Sequence, residues 1–170
     1  DDPSDDVQVE EVNWRIPQTF AYEMIAEDWE KPGFQLKITN QGNRSFWVSI
    51  VYFGADFSIN NVLLAKQQIK AKDVVWAREY VDAYAHKTIS LSLPSHYLTW
   101  NIRQIREYFK VFICTEEFST DDFNQEGLPQ EIGQYMPDRA FGRSSTVQQP
   151  DWTCKEIAID IAYPKDKKLI

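Results

Sequence analysis

The stretch FQLKITNQGNRSFWVSIVYFGADFSI, residues 34–59, decides how the rest of the chain is read. In its first part Phe34, Leu36 and Ile38 alternate with Gln35, Lys37 and Thr39. A two-residue period with one apolar and one polar face is that of a half-buried antiparallel strand. In its second part both faces are apolar. Phe46, Val48, Ile50 and Tyr52 line one face; Trp47, Val51 and Phe53 line the other, with Ser49 as the single interruption. Such a strand belongs inside a sheet, with core beneath it and an insertion of the chain or a neighbouring domain above. Between the two parts, NQGNRS at 40–45 reads as a hairpin loop in which Gly42 and Asn43 accept positive φ.

Working outward, residues 20–29 read as a strand or short strand pair, closed by a turn at Lys31-Pro32-Gly33. Gly54-Ala55-Asp56 turns the chain, and residues 57–64 return as a strand. Residues 65–80 fit a helix by pattern, but their place between strands favours strand plus loop. Ile89, Leu91 and Leu93 alternate inward until Pro94 stops the run. Ser95 can cap a short helix with Leu98, Ile102 and Ile105 at helical offsets. YFKVFICT at 108–115 is an apolar strand, 116–150 a long acidic and then polar excursion. Residues 152–163 close the fold, with Ile157, Ile159, Ile161 and Tyr163 on one side. Some seven or eight strands with short helices only in connections predict an all-β fold: an antiparallel, immunoglobulin-like β-sandwich. The expected organisation is a disordered acidic leader at 1–6, a single sandwich domain at 7–164 and a tail at 165–170.

A chain of 170 residues suits one domain, and with 43% hydrophobic and 14% aromatic residues it can fill a core. Its net charge of -8 repels phosphate backbones and anionic bilayers, so no nucleic-acid partner is expected. No apolar run reaches the roughly 18 residues of a spanning helix, so no membrane insertion is expected, and the location reads as cytoplasmic.

The chain carries few chemical groups suited to catalysis. Cys114 and Cys154 lie in apolar, strand-like settings and read as two buried thiols, with a disulfide between them as the other possibility. Cys114 is followed closely by Glu116 and Glu117, which raise a thiol pKa and so oppose nucleophilic use. His86 and His96 lack the spacing of a Cys/His zinc module. Asp122, Asn124, Glu126 and Gly127 match the opening of an EF-hand loop, but Pro129 interrupts it and Gly133 stands where the bidentate Glu belongs. The paired carboxylates Glu10/Glu11, Glu27/Asp28, Glu116/Glu117 and Asp121/Asp122 point to opposite strand faces and read as surface charge. No glycine-rich phosphate loop is present. The expectation is no catalytic residue, no metal and no cofactor. Aromatics remain: Trp47, Trp76, Tyr80 and Tyr84 form a platform for sugars or peptides if exposed. Alternatively Trp47 is core, or is covered by residues 65–84.

Certain strand edges carry a resemblance. Thr39-Asn40, the Gly42-Asn43 turn, the Phe46–Phe53 strand and Asp56 to Ile59 come first. Lys110-Val111-Phe112, an acidic Phe-containing turn at 118–123 and Asp151-Trp152-Thr153 follow. In this order they resemble the non-catalytic C-terminal domain of bacterial caspase-like, metacaspase-related proteins, over residues 34–164. The resemblance implies an accessory sandwich with scaffold, regulatory or docking duty, while the protease dyad sits on a separate N-terminal α/β domain. Its His-Gly and Cys motifs do not occur here, so no catalytic residue carries over. The implied partner is a protein, either that protease domain or a separate chain. The candidate interaction surface is Trp47, Trp76, Tyr80, Phe118, Asp121, Asp122 and Phe123. The alternative is a carbohydrate- or other ligand-binding module using exposed aromatics. A small hydrolase would need a catalytic pair that the chain does not display.

Overall fold

The structure, a computed structural model, describes residues 13–25, 28–81, 84–127 and 152–163. The leader at 1–6, the tail at 165–170 and most of the polar half of the 116–150 excursion lie outside the described residues. The elements are β1 (Gln18–Ala21), β2 (Glu23–Ile25), β3 (Asp28–Glu30), β4 (Gly33–Gln35), β5 (Lys37–Thr39), β6 (Phe46–Phe53), β7 (Ile59–Ile69), β8 (Val74–Trp76), β9 (Glu79–Val81), β10 (Tyr84–His86), β11 (Thr88–Ser90), α1 (Ser95–Thr99), β12 (Gln104–Cys114) and β13 (Trp152–Ala162). The fold is all-β with one short α-helix among the described residues. None of its helices there is long and apolar enough to cross a membrane.

A five-stranded sheet in the order β1-β13-β12-β6-β7 forms the frame. Its neighbours are antiparallel except β1, which runs parallel to β13 with Gln18 opposite Ile159. The doubly apolar strand β6 sits inside this sheet, between β12 and β7, as its two-faced pattern requires. Register carries the alternation from strand to strand. Ile50 faces Val111 and Tyr52 faces Phe109, while Ile105 faces Ile161 and Phe109 faces Ile157. The inner face is therefore continuous, and Val48, Ile50, Phe109, Ile159 and Ile161 are almost wholly buried on it.

The inner face packs against the short strand pairs. Phe34 on β4 meets Phe109 edge-on, with ring centroids 5.1 Å apart, and Phe20 on β1 meets Phe34 at 6.0 Å. Ile89, Leu91, Leu93, Val75 and Ala77 complete the same core cluster. Burying each of the Phe, Ile, Leu and Val side chains contributes about 1.5–3 kcal/mol. The expected inward alternation of Ile89, Leu91 and Leu93 is met.

Several local expectations give way to tertiary pairing. Residues 34–39 are not one strand: β4 pairs with β11 and β5 with β8, while the carbonyl of Leu36 between them accepts the Ala77 amide. The loop at 40–45 is not a hairpin, since β5 and β6 pair with different strands. Nor does it need positive φ at Asn43; among the described residues the non-glycine ones with positive φ are Phe57, Lys72 and Asn101. The Asn40 side chain organises it instead. Its amide donates to the carbonyls of Arg44 at 2.7 Å and Lys70 at 2.9 Å, and its Oδ1 accepts the Gly42 amide. Residues 65–80 resolve as strand: β7 runs on to Ile69, then β8 and β9 follow. The helix stops at Thr99, so Ile102 is exposed and Ile105 belongs to β12. Pro94, not Ser95, holds the N-cap position.

Candidate functional site

The outer face of the five-stranded sheet answers what lies above β6. Trp47, Ser49, Val51 and Phe53 alternate outward there, and register sets them beside Cys114, Phe112, Lys110 and Tyr108 of β12. After β12 the chain turns back over this face as residues 115–125, including a 3-10 turn at Asp121–Phe123. The anchor is polar. Thr120 is 1% exposed and its Oγ1 lies 2.8 Å from Ser49 Oγ, itself fully buried. Asn61 Nδ2 donates to Thr120 Oγ1 and to Asp121 Oδ1, both at 3.1 Å. Ser49 Oγ also reaches the Leu64 carbonyl and Thr120 Oγ1 the Ala65 carbonyl. Each hydroxyl has one proton to donate, so one of the two bridges the pair while the other reaches β7. Beyond the anchor, the backbones of Ile59 and Gln125 exchange hydrogen bonds at 2.8 and 2.7 Å. Gly127 then lies so close to the Asp56 carboxylate that a Cβ would collide with it.

Beside this return an aromatic cluster stays open. Phe112 on β12 stacks near Trp152 on β13, with centroids 6.4 Å apart and planes 28° apart, and meets Phe123 of the return at 5.6 Å. Trp152 is 60% exposed and Phe123 44% exposed. Further along the face Lys110 Nζ lies 5.0 Å from the Phe53 ring centroid and pairs with Glu156 at 3.3 Å. The rings thus form an apolar strip flanked by both charge signs, including Asp121 and Asp122. The Asp121 carboxyl is held below its ordinary pKa, first by the Ser119 hydroxyl and then by Asn61, so it stays ionised. Such a strip offers apolar area on rigid side chains, the arrangement that carries binding energy at interfaces.

The structure brings together part of the expected surface. Phe123, Asp121, Asp122 and half-buried Phe118 belong to the return. Half-buried Trp47 is on the same face, under Lys66, whose ammonium lies 5.9 Å from its ring and pairs with Glu117 at 2.6 Å. Residues 115–125 thus cover Ser49, while Lys66, from the 65–84 stretch, lies over Trp47. Trp76 is elsewhere, on β8, between Lys37 at 5.6 Å and Lys87 at 5.7 Å. The backbone of Tyr80 pairs with Ala85, and its side chain lies outside the described residues. Tyr84 is exposed on β10 and joins no ring contact among the described residues. The sequence pattern marks the aromatics that complete the cluster, Phe112 and Trp152, as strand residues only. The signal for them was their outward position in strands whose other face is Val111 and Ile157.

Both cysteines are free thiols, Cys114 buried and Cys154 half-buried. Burial raises the Cys154 pKa, with Lys110 opposing it, and a thiol held protonated is a poor nucleophile. The His96 ring meets Tyr97 at a tilt and Trp100 edge-on, with centroids 4.5 and 5.2 Å away. No family model matches the chain. No curated protein matches it either.

Proposed function

We propose that this chain is a non-enzymatic β-sandwich interaction domain, accessory to a bacterial caspase-like protease, that docks a protein partner on its outer aromatic face. The observation that carries the docking role is the Phe112–Phe123–Trp152 cluster, open beside a return that is pinned down by buried hydrogen bonds. A rigid backing matters because an ordered surface loses little entropy on binding. In the sandwich reading, the five-stranded sheet is one layer, and β4/β11 with β5/β8 supply the second, in immunoglobulin-like fashion. Phe34 against Phe109 supports that reading. The protease association draws its support from where the resembling residues fall. Phe112, Phe123 and Trp152 build the open cluster, while Asn40 and Asp56 organise the loops flanking β6.

The test is the Trp152→Ser, Phe123→Ser double variant, titrated calorimetrically against the caspase-like protease domain. Unchanged unfolding with at least about tenfold weaker binding, roughly 1.4 kcal/mol, is expected. Equal affinity of both proteins overturns the site. A complete coding sequence and gene neighbourhood without a His-Gly and Cys protease motif removes the protease from the proposal. The near-parallel Phe112 and Trp152 rings beside Asp121 and Asp122 also favour a second reading, a carbohydrate-binding module. Glycan-array binding abolished by Trp152→Ser alone would select it.

A further inference from the structure

On the inner side of the sheet, away from the aromatic cluster, a cavity of about 220 Å³ is walled by strands β6, β7, β9 and β12 and by residues 89–92. It is smaller than the roughly 300–1,000 Å³ of sites for drug-sized ligands, and suits a single functional group. Its floor is Phe109, 1% exposed, and Glu107, 6% exposed; exposed Ser90 and Ser92 stand at its rim. Glu107 occupies an inward position of β12 between Ile105 and Phe109, where a carboxylate is costly unless partnered. It accepts the Tyr52 hydroxyl at 2.5 Å and the Ala55 backbone amide. Among the described residues no cation pairs with it; Asp56 is the nearby charge, and it is of the same sign.

Two further acceptors line the wall, beside the hydroxyls of Ser90 and Ser92. Asn60 Oδ1 is buried with no hydrogen-bond partner among the described residues, so its loss of solvent is left uncompensated. Glu79 enters from β9, where one carboxylate oxygen takes the Ser90 amide at 2.8 Å. A wall of two carboxylates and an orphan amide oxygen over an aromatic floor is matched by a group that brings N–H donors and positive charge. We propose that this cavity binds the head of an alkylammonium or alkylguanidinium, held by Glu107, Asn60 Oδ1 and Glu79. The ligand is either a free amine or a lysine or arginine side chain of a peptide. This site is independent of the outer face and of the partner proposed for it.

The experiment is a titration of the isotope-labelled protein, followed through the amides of Ser90 and Ser92 and the side chain of Asn60. The probes are n-butylammonium, Nα-acetyl-lysine amide and Nα-acetyl-arginine amide, with butyrate and n-butanol as controls. Saturable shifts with the cations alone are expected, weakened at least tenfold in Glu107→Gln and severalfold in Glu79→Gln. Preference for the two amides assigns a peptide side chain; preference for n-butylammonium assigns a free amine. Glu79→Gln changes a rim residue, so it decides the matter if Glu107→Gln does not fold. Absence of saturable shifts in the wild type, equal response to n-butanol, or wild-type binding by the folded variants overturns the proposal.

Discussion

Glu107 and Asp160 lie on adjacent strands, and their carboxyl pKa values are shifted in opposite directions. Burial raises the Glu107 carboxyl pKa, aided by the charge of Asp56, while the Tyr52 hydroxyl and the Ala55 amide pull it back. The folded state therefore holds this proton more tightly than the unfolded chain, and stability falls as pH rises from the ordinary carboxyl value through the raised one. Asp160 is lowered, first by its hydrogen bonds from Arg106 at 2.6 and 2.7 Å. Its contribution is present above the ordinary carboxyl pKa and is lost as pH falls through the lowered one. Urea unfolding followed from about pH 3 to about pH 8 separates the two. Glu107→Gln abolishes the decline on the alkaline side of the carboxyl range, and Asp160→Asn flattens the acid limb. An unchanged profile in either variant contradicts the assignment. The alternation I-R-E-Y-F-K-V already places Glu107 in line with Ile105, Phe109 and Val111. Reading the strand as starting at Tyr108 hid that, because two charged residues in a row look like a strand's end.

At the scale of elements, the return over β6 and β7 depends on Thr120. Thr120→Val keeps the shape but leaves Asn61 and Ser49 short of an oxygen, so a loss of about 1–3 kcal/mol is expected on chemical denaturation. A loss no larger than that of an exposed substitution would mean the return is held by its backbone bridge alone. The thiols report on the same face. Cys114 ends β12, opposite Trp47 and Trp152, and is 4% exposed. Cys154, two pairs further along and opposite Phe112, is half-buried. Under native conditions iodoacetamide alkylates Cys154 slowly, at a rate that climbs at alkaline pH, and Cys114 only as the protein unfolds. Mass spectrometry of digests checks the order, and equal labelling of both would show the β12 edge opening. Ser49 was legible as the one polar break in β6, but its partner, 71 residues away, was not.

For the whole molecule, the pairing of β1 with β13 joins Gln18 to Ile159, so the frame closes only when distant parts of the chain meet. Strand pairing across such separations is slow because loop closure precedes any reward from contacts. Refolding on the scale of about milliseconds to seconds is therefore expected by stopped-flow tryptophan fluorescence. A main phase in microseconds would mean that the short pairs, not the five-stranded sheet, form the folding unit. The same topology explains why β4 and β5 deceived: their partners β11 and β8 were chosen by position in space, and neighbours in sequence had no part in it.

Sequence alone determined the all-β class, the two-faced strand inside the sheet and the inward set Ile89, Leu91, Leu93, Ile157, Ile159 and Ile161. Those follow from side-chain alternation, a property of consecutive residues that the pleat imposes on any strand. Only the tertiary structure decided which strands pair, that residues 115–125 cover β6, that Phe112, Phe123 and Trp152 meet, and that Glu107 shares a cavity with Asn60 and Glu79. Each of these is a meeting of segments far apart along the chain, settled by how the apolar faces bury one another and by which buried polar groups find partners.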